Sequence, residues 1–571
     1  MRKTKANVFA GRRYLLLFAV FCVFVLLFAR AAQLQLLHAD FYYEEGSNRH
    51  VRTVEIPANR GVITDRHGEA LAISTPVYSI WAHPKTALEN PQSIIDASSV
   101  LDIDKRALIK KLEARKDKQF VYVKRHVFPN VAEKLKQRNV SGISAIREYR
   151  RYYPTGEMSA HVVGLTNIDD QGLEGVELAF DDWLHGSPGK KRVLKNGRGT
   201  VIGDIGLVAE QHQGKDLVLS IDKRIQYLAY RELKRTIERH GAKSGSVVVL
   251  SVANGEVLAM ANLPAFNPND RTNAKVGSIR NRAITDVFEP GSTVKPFLIA
   301  AAIENGTYRM NSKINTSPGY FNYAGLLVSD HSNYGVIDLE TILSKSSNVG
   351  AVHIALKMPQ EQVWAQYQAV GFGQLTGSGF PGERAGKLDS YTSWNKTQRA
   401  TMAYGYGMST TALQLARAYS VIANDGVLLP ASFVVNEHVP AGERVMSGRT
   451  AKSVRNMLKG VLAKEGTGSR ASMQGYSAAG KTGTSRKSQG GGYSKDNYIA
   501  LFAGMAPADK PNVVVVALID QPVKEDGYYG GEVAAPLFSR VTEGALRLMN
   551  VPPNIIDDTK RGLLLTESRE P

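Results

Sequence analysis

The chain has 571 residues, too many for one hydrophobic core, so two to four domains are expected. Its 43% apolar and 22% charged residues are those of folded protein, which excludes collagen-like, mucin-like and wholly disordered classes. The net charge of +18 is spread along the chain, with no zinc-finger spacing and no basic-region heptads, so nucleic acid is not an expected partner.

The one cysteine, Cys22, excludes an intramolecular disulfide and a Cys-based zinc site. It sits in the uncharged run Tyr14 to Ala29, where it reads as a small hydrophobe. With Ala31 and Ala32 that run approaches the roughly 20 residues needed to cross a bilayer. Arg2, Lys3, Lys5, Arg12 and Arg13 precede it without an acid, so residues 1–13 are expected to stay cytoplasmic. Ala29-Arg30-Ala31 resembles a signal-peptidase site. The length of the run and the helix-compatible sequence after it favour an uncleaved anchor over residues 14–36. The rest of the chain then works outside the cytoplasm.

Residues 37–214 are mixed α+β. Tyr78 to Ala82 reads as a short strand and Lys105 to Lys118 as a surface helix. Asn59-Arg60-Gly61, Asp65-Arg66-His67-Gly68 and Tyr152 to Gly156 read as loop punctuation. The texture changes near Gly214. A strand at Asp216 to Ile221 and a helix at Ile225 to His240 are followed by a hairpin, Ser246–Val252 and Glu256–Ala261. Helical pattern begins near Thr293 and returns at Leu339–Lys357, Thr410–Asn424 and Ala451–Leu462. Two strands, Tyr498–Met505 and Asn512–Asp520, and a helix near Pro536–Met549 close residues 215–550. Strands early and late around a helical middle imply a largely antiparallel sheet flanked by helices, with a helical subdomain. Residues 551–571 form a polar tail.

Three short motifs carry chemistry. In Glu289-Pro290-Gly291-Ser292-Thr293-Val294-Lys295-Pro296, Gly291 permits a tight turn into a helix, and Ser292 and Lys295 share a face. A serine hydroxyl needs an adjacent base, and a buried lysine can supply one. The spacing recurs at Ser187–Lys190, Ser220–Lys223 and Ser393–Lys396, and about two such pairs arise by chance in a chain this long. Ser346 and Asn348, in Ser346-Ser347-Asn348, can point a proton relay and a substrate-holding amide into one cleft; the same residues also suit helix capping. Lys481-Thr482-Gly483-Thr484 occurs once, before the last strands. A strand edge bearing a lysine and two hydroxyls can pair with an extended peptide and bind its carboxylate; the bland alternative is a polar edge strand. Order decides among the copies. Ser187 precedes Pro188-Gly189, Ser220 lies in a strand pattern and Ser393 follows the S-x-N element.

The ordered set S-x-x-K, S-x-N, K-T-G resembles the penicillin-recognising serine enzymes. Further stretches are similar to class B penicillin-binding proteins, and within them to the division-specific peptidoglycan D,D-transpeptidases of Gram-negative bacteria. They include Arg60-Gly61-Val62-Ile63-Thr64-Asp65-Arg66, Arg151-Tyr152-Tyr153-Pro154, Gly172 to Glu177, Gly255 to Asn262, Tyr404-Gly405-Tyr406-Gly407 and Tyr528 to Val533. The resemblance spans roughly residues 15 to 550. It implies a noncatalytic pedestal of the penicillin-binding protein dimerisation type at 37–214, an α/β penicillin-binding transpeptidase domain at 215–550 and a periplasmic location. It also implies Ser292 as nucleophile, Lys295 as base, Ser346 as proton relay and Asn348 as a holder of the donor peptide. Lys481, Thr482, Gly483 and Thr484 would bind substrate, and the N–H groups of Ser292 and Thr484 would form the oxyanion hole. Stem peptides, β-lactams, a septal glycosyltransferase and other division proteins are the implied partners, with neither metal nor organic cofactor. An elongation-specific transpeptidase, a serine β-lactamase and a β-lactam receptor or scaffold share the motifs. The loop Ser485 to Lys495, with Gly490-Gly491-Gly492, reads as flexible.

Overall fold

The computed structural model describes residues 10–195, 201–272, 274–489, 492–523, 525 and 527–555. Most of the expected tails, 1–13 and 551–571, therefore lie outside the described residues. Contacts divide the chain into two compact units. One comprises residues up to Asn59, Pro76–Tyr149 and Gly186–Gly214; the other comprises Arg60–Thr75, Arg150–His185 and Lys215 onward.

The first unit begins with the helix Ala10–Ala32. Within Gly11–Leu37 an 18-residue window reaches a mean hydropathy of 2.7 and none of that window is buried, so the helix is a candidate membrane span. Val51–Ile56, Gly189–Lys195 and Val201–Ala209 make a three-stranded antiparallel sheet. Four short helices pack with strands around a small core that includes Ile80, Leu101, Leu108, Leu112 and Leu135. The strand expected at Tyr78–Ala82 is the end of a longer one, Ala70–Ala82, that runs through Pro76.

The second unit is built on a five-stranded, wholly antiparallel sheet. Its strands are β1 (Ser244–Ser251), β2 (Val257–Leu263), β3 (Ala479–Gln489), β4 (Gly492–Ala506) and β5 (Val513–Asp520), in the order β2-β1-β5-β4-β3. Every residue of β1 is buried. Side chains alternate between two cores, as the strand period requires. Val248 and Leu250 face one core with Leu413 and Ala416, while Val247 and Val249 face the other with Leu233 and Phe538. The sheet thus lies between α1 (Lys223–Arg239) with α6 (Gly530–Leu548) on one side and α5 (Ala412–Ala423) on the other. Between the two halves of the sheet the chain supplies the remaining helices of the site: α2 (Lys295–Glu304), α3 (Leu339–Ser344) and α4 (Asn348–Lys357).

Two departures from the sequence expectations matter for the site. The last helix starts at Gly530, not near Pro536, which sits inside it; a Cβ at Gly530 would lie 2.3 Å from the carbonyl oxygens of Gly483 and Leu501, so only glycine lets this helix meet the sheet. The segment read as a flexible loop is mostly the extended hairpin of β3 and β4, with Gly490 and Gly491 outside the described residues.

The stretches Arg60–Arg66, Arg151–Pro154 and Gly172–Glu177, read partly as loop punctuation, meet in a buried ionic cluster. Arg60 Nε and Arg151 Nε each donate to Glu177 at 2.6 Å, and Arg60 Nη1 donates to Asp181 at 2.6 Å. Arg60 is 1% exposed and Glu177 fully buried.

Candidate active site

Gly291–Val294 form a 3-10 turn that opens into α2. Gly291 has φ +56°, a conformation that favours glycine, and Pro296 occupies the first helical turn. Ser292 is half-buried on this turn and Lys295, one turn on, is fully buried. The turn is braced from behind. Tyr419 donates its hydroxyl to Thr293 O at 2.9 Å, and Gly291 N donates to Gly405 O at 3.2 Å. A Cβ on Gly405 would lie 2.2 Å from Gly291 O.

Ser346 lies between α3 and α4 with φ +58°. Lys295 Nζ donates to Ser346 O at 2.6 Å, to Asn348 Oδ1 at 2.8 Å and to Ser346 Oγ at 3.3 Å. Lys481 Nζ donates to the same Ser346 Oγ at 2.9 Å, and also to Thr482 O and Oγ1 at 3.1 and 3.3 Å. A hydroxyl has two acceptor lone pairs and one proton. With both lysines on its lone pairs, Ser346 keeps its own O–H free to donate into the cleft.

The two ammonium groups are buried in one polar pocket, where desolvation and mutual repulsion disfavour charge. Burial lowers Lys295 to about 7, against the pull of the Asp330 carboxylate, which raises it. Burial and the neighbouring Lys295 push Lys481 well below its ordinary value.

Lys481–Thr484 pair with Phe502 and its neighbours on β4 (Lys481↔Ala503, Thr484↔Ala500), and β3 is the edge of the sheet. Its other edge is available to an extended peptide. Thr482 Oγ1 is 2.9 Å from Thr467 Oγ1, and Thr484 Oγ1 accepts from Gly530 N at 3.0 Å. A Cβ on Gly483 would lie 2.9 Å from Thr293 Cγ2, so glycine lets β3 close on the nucleophile turn. Ser292, Ser346, Asn348, Thr482 and Thr484 all line one cleft of about 950 Å³, with tyrosines at 404, 406, 493, 498, 528 and 529 along its wall.

A family model described as the penicillin binding protein transpeptidase domain matches residues 245–543, and one described as the penicillin-binding protein dimerisation domain matches residues 55–219. The chain is 41% identical to a probable peptidoglycan D,D-transpeptidase PenA of Neisseria meningitidis, over 95% of this chain and 94% of that protein. It is 40% identical to the peptidoglycan D,D-transpeptidase FtsI of Escherichia coli, over 96% and 94%. The chain belongs to the penicillin-binding protein transpeptidase family. A solved peptidoglycan synthetase from Bifidobacterium adolescentis is similar at a TM-score of 0.71 and 25% identity, over 89% of this chain and 98% of that one.

This penicillin-binding transpeptidase also uses residues that the motifs did not reveal. Asp330 Oδ1 accepts from Asn348 N at 2.5 Å and from Val349 N at 3.0 Å, and its Oδ2 accepts from Ser347 Oγ at 2.6 Å. It holds the start of α4, as a carboxylate favours a helix amino end, and so sets where Asn348 points. Glu289 Oε1 accepts from Gly407 N at 2.9 Å and from the Tyr493 hydroxyl at 3.0 Å, which ties the residue three before Ser292 to the β3–β4 hairpin. Asp330 has no sequence signal, lying 16 residues before Ser346, directly after a separate small hairpin that ends at Ser329. Glu289 opens the Glu289–Pro296 motif, where an acid beside Pro-Gly-Ser is the available signal.

Proposed function

We propose that the chain is a peptidoglycan D,D-transpeptidase that cross-links stem peptides of the septal wall through an acyl-enzyme on Ser292. The observation that carries this reading is the convergence of Ser346 Oγ with both Lys295 and Lys481 beside Ser292 in one cleft. A stem peptide ending in D-Ala–D-Ala lies along β3 with its carboxylate at Thr482 and Thr484. Ser292 Oγ attacks the penultimate carbonyl and Lys295, in its neutral form, takes the hydroxyl proton. The N–H groups of Ser292 and Thr484 stabilise the oxyanion, a feature commonly worth about 10²–10³ in rate. Ser346 hands a proton to the departing D-Ala amine and Asn348 holds the donor. An amine of a second stem then displaces Ser292, forming the cross-link. A β-lactam acylates the same serine. With burial biasing both lysines toward neutrality, the incoming carboxylate favours a proton on Lys481, so positive potential arrives with the substrate.

In this reading residues 1–13 are cytoplasmic, 14–36 the inner-membrane anchor, 37–214 the pedestal, 215–550 the periplasmic transpeptidase domain and 551–571 the polar tail. The apolar run from Tyr14 and the Arg12-Arg13 pair just before it support the orientation. The anchor and pedestal would engage a septal glycosyltransferase and other division proteins. Intact-protein mass after brief β-lactam exposure tests the chemistry. One long-lived adduct on the parent, absent from Ser292→Ala, is expected; an adduct lost within seconds would favour a β-lactamase, and none on folded protein would overturn the site. Depletion should give filaments, whereas rounded cells would favour the elongation role.

A further inference from the structure

Beside the cleft lies a second hollow, of about 540 Å³, between α1, the start of α6 and the turn Ser469–Ala471. Its lining is basic: Arg235 and Arg239 from α1, Arg540 from α6 and Arg470 from the turn, against Glu232 and Glu532. Glu232 is buried and already saturated, with Arg540 at 2.8 Å, Arg231 at 2.9 Å and Arg235 at 3.2 Å. Four guanidinium groups line the hollow against two carboxylates, so it keeps a positive excess. Arg239 and Arg470 are exposed, and neither has an ion-pair partner among the described residues. Arg470 and Glu532 line both this hollow and the catalytic cleft, so the two adjoin at these side chains.

This shared wall falls on one particular side of the reaction. Thr467 bonds Thr482, and Ser469 and Arg470 follow Thr467 along the same wall of the cleft. If the donor carboxylate sits at Thr482 and Thr484, the departing D-Ala occupies this end. By microscopic reversibility, the amine that resolves the acyl-enzyme enters where the leaving amine departed. Its nitrogen forms the new C–N bond as the Ser292 ester C–O bond breaks, and one amine proton ends on the Ser292 oxygen. The rest of the incoming stem must then extend past Arg470.

We propose that the groove of Arg470, Arg235, Arg239 and Arg540 is the acceptor subsite, which binds the carboxylates of the incoming stem peptide. The assignment rests on the transpeptidase reading above. Guanidinium forks suit carboxylates because they donate in pairs, and an exposed basic channel beside the cleft also steers an acidic peptide toward it.

The test uses the full-length chain in detergent micelles, a benzoyl-D-alanyl thioester donor and two synthetic acceptors. One acceptor is a stem tripeptide with a side-chain amine and free carboxylates; the other has those carboxylates amidated. Transfer and hydrolysis partition from one acyl-enzyme, so their ratio is insensitive to any change in acylation. For the carboxylated acceptor the ratio is expected to fall about tenfold or more in the Arg470→Ala/Arg235→Ala variant, the usual weight of lost charged hydrogen bonds. High salt should lower it in the parent in the same way. The amidated acceptor should be poor in the parent and unchanged in the variant. Equal ratios in parent and variant, or an equal fall for the amidated acceptor, would overturn the subsite while leaving the transpeptidase reading intact. Absence of any acyl-enzyme from the thioester would overturn both. Arg239→Ala/Arg540→Ala, changed outside the cleft, should show the same selective fall, and its failure to do so would confine recognition to Arg470 and Arg235 and refute the four-arginine groove.

Discussion

Acylation of Ser292 should rise with pH and level off above a midpoint near 7. The proposed base acts as a neutral amine, and burial lowers Lys295 from 10.5 to about 7. At pH 7 about half of the enzyme then carries the neutral base, and at pH 6 about a tenth. An ordinary lysine would be neutral in only about 0.03% of molecules at pH 7, so burial raises the competent fraction about a thousandfold. The second-order rate of acylation by a fluorescent penicillin, taken by stopped flow from pH 5.5 to 9, should show the rise in the parent. In Lys295→Arg the guanidinium holds its proton throughout, and the rate should fall by about 10²–10⁴. The sign also reaches stability. The folded value lies below the unfolded one, so the unfolded chain holds the extra proton between about pH 7 and 10.5, and stability should increase with pH across that window as far as this group is concerned. A flat acylation profile from pH 5.5 to 9, or Lys295→Arg within tenfold of the parent, would refute the assignment of Lys295 as base.

Asp330→Asn removes the charge that holds Lys295 up, so the acylation midpoint should move below 7; a midpoint moving upward would contradict that coupling. Arg60→Ala leaves the fully buried Glu177 with Arg151 alone and should cost about 3–5 kcal/mol, read as a lower urea midpoint for the second unit. Gly405→Ala places a Cβ 2.2 Å from Gly291 O at a position with φ +81°, so it should slow acylation by displacing the nucleophile turn, while a neighbouring change such as Thr401→Ser should not.

What the sequence could reveal depended on how far a signal travels along the chain. The Ser292 turn, the β1–β2 hairpin and the β3 edge strand are encoded in a few consecutive residues, and each falls where its local pattern placed it. The three-stranded sheet of Val51–Ile56, Gly189–Lys195 and Val201–Ala209 was not legible, because much of Val51–Ile56 and Val201–Ala209 is exposed and the strands lack a clean apolar alternation. Pro76 hid the first half of its strand, since proline argues against a strand interior. The helix at Leu339–Lys357 is broken at 345–347 because Ser346 turns left-handed there, a tertiary demand with no local mark. Arg60, Arg151 and Glu177 were singled out by resemblance, but their meeting is a contact across 117 residues that no periodicity encodes.

Ser346 pairs function with backbone strain. A non-glycine residue at φ +58° costs on the order of 1 kcal/mol, and this one lies at the point where both lysines converge. Glycine would relax the backbone and delete the hydroxyl in one step. Ser346→Gly should therefore melt higher and turn over more slowly, so that selection for thermal robustness alone would drive this position away from catalysis. Among variants recovered for stability, position 346 is a place where improved folding should report a damaged enzyme.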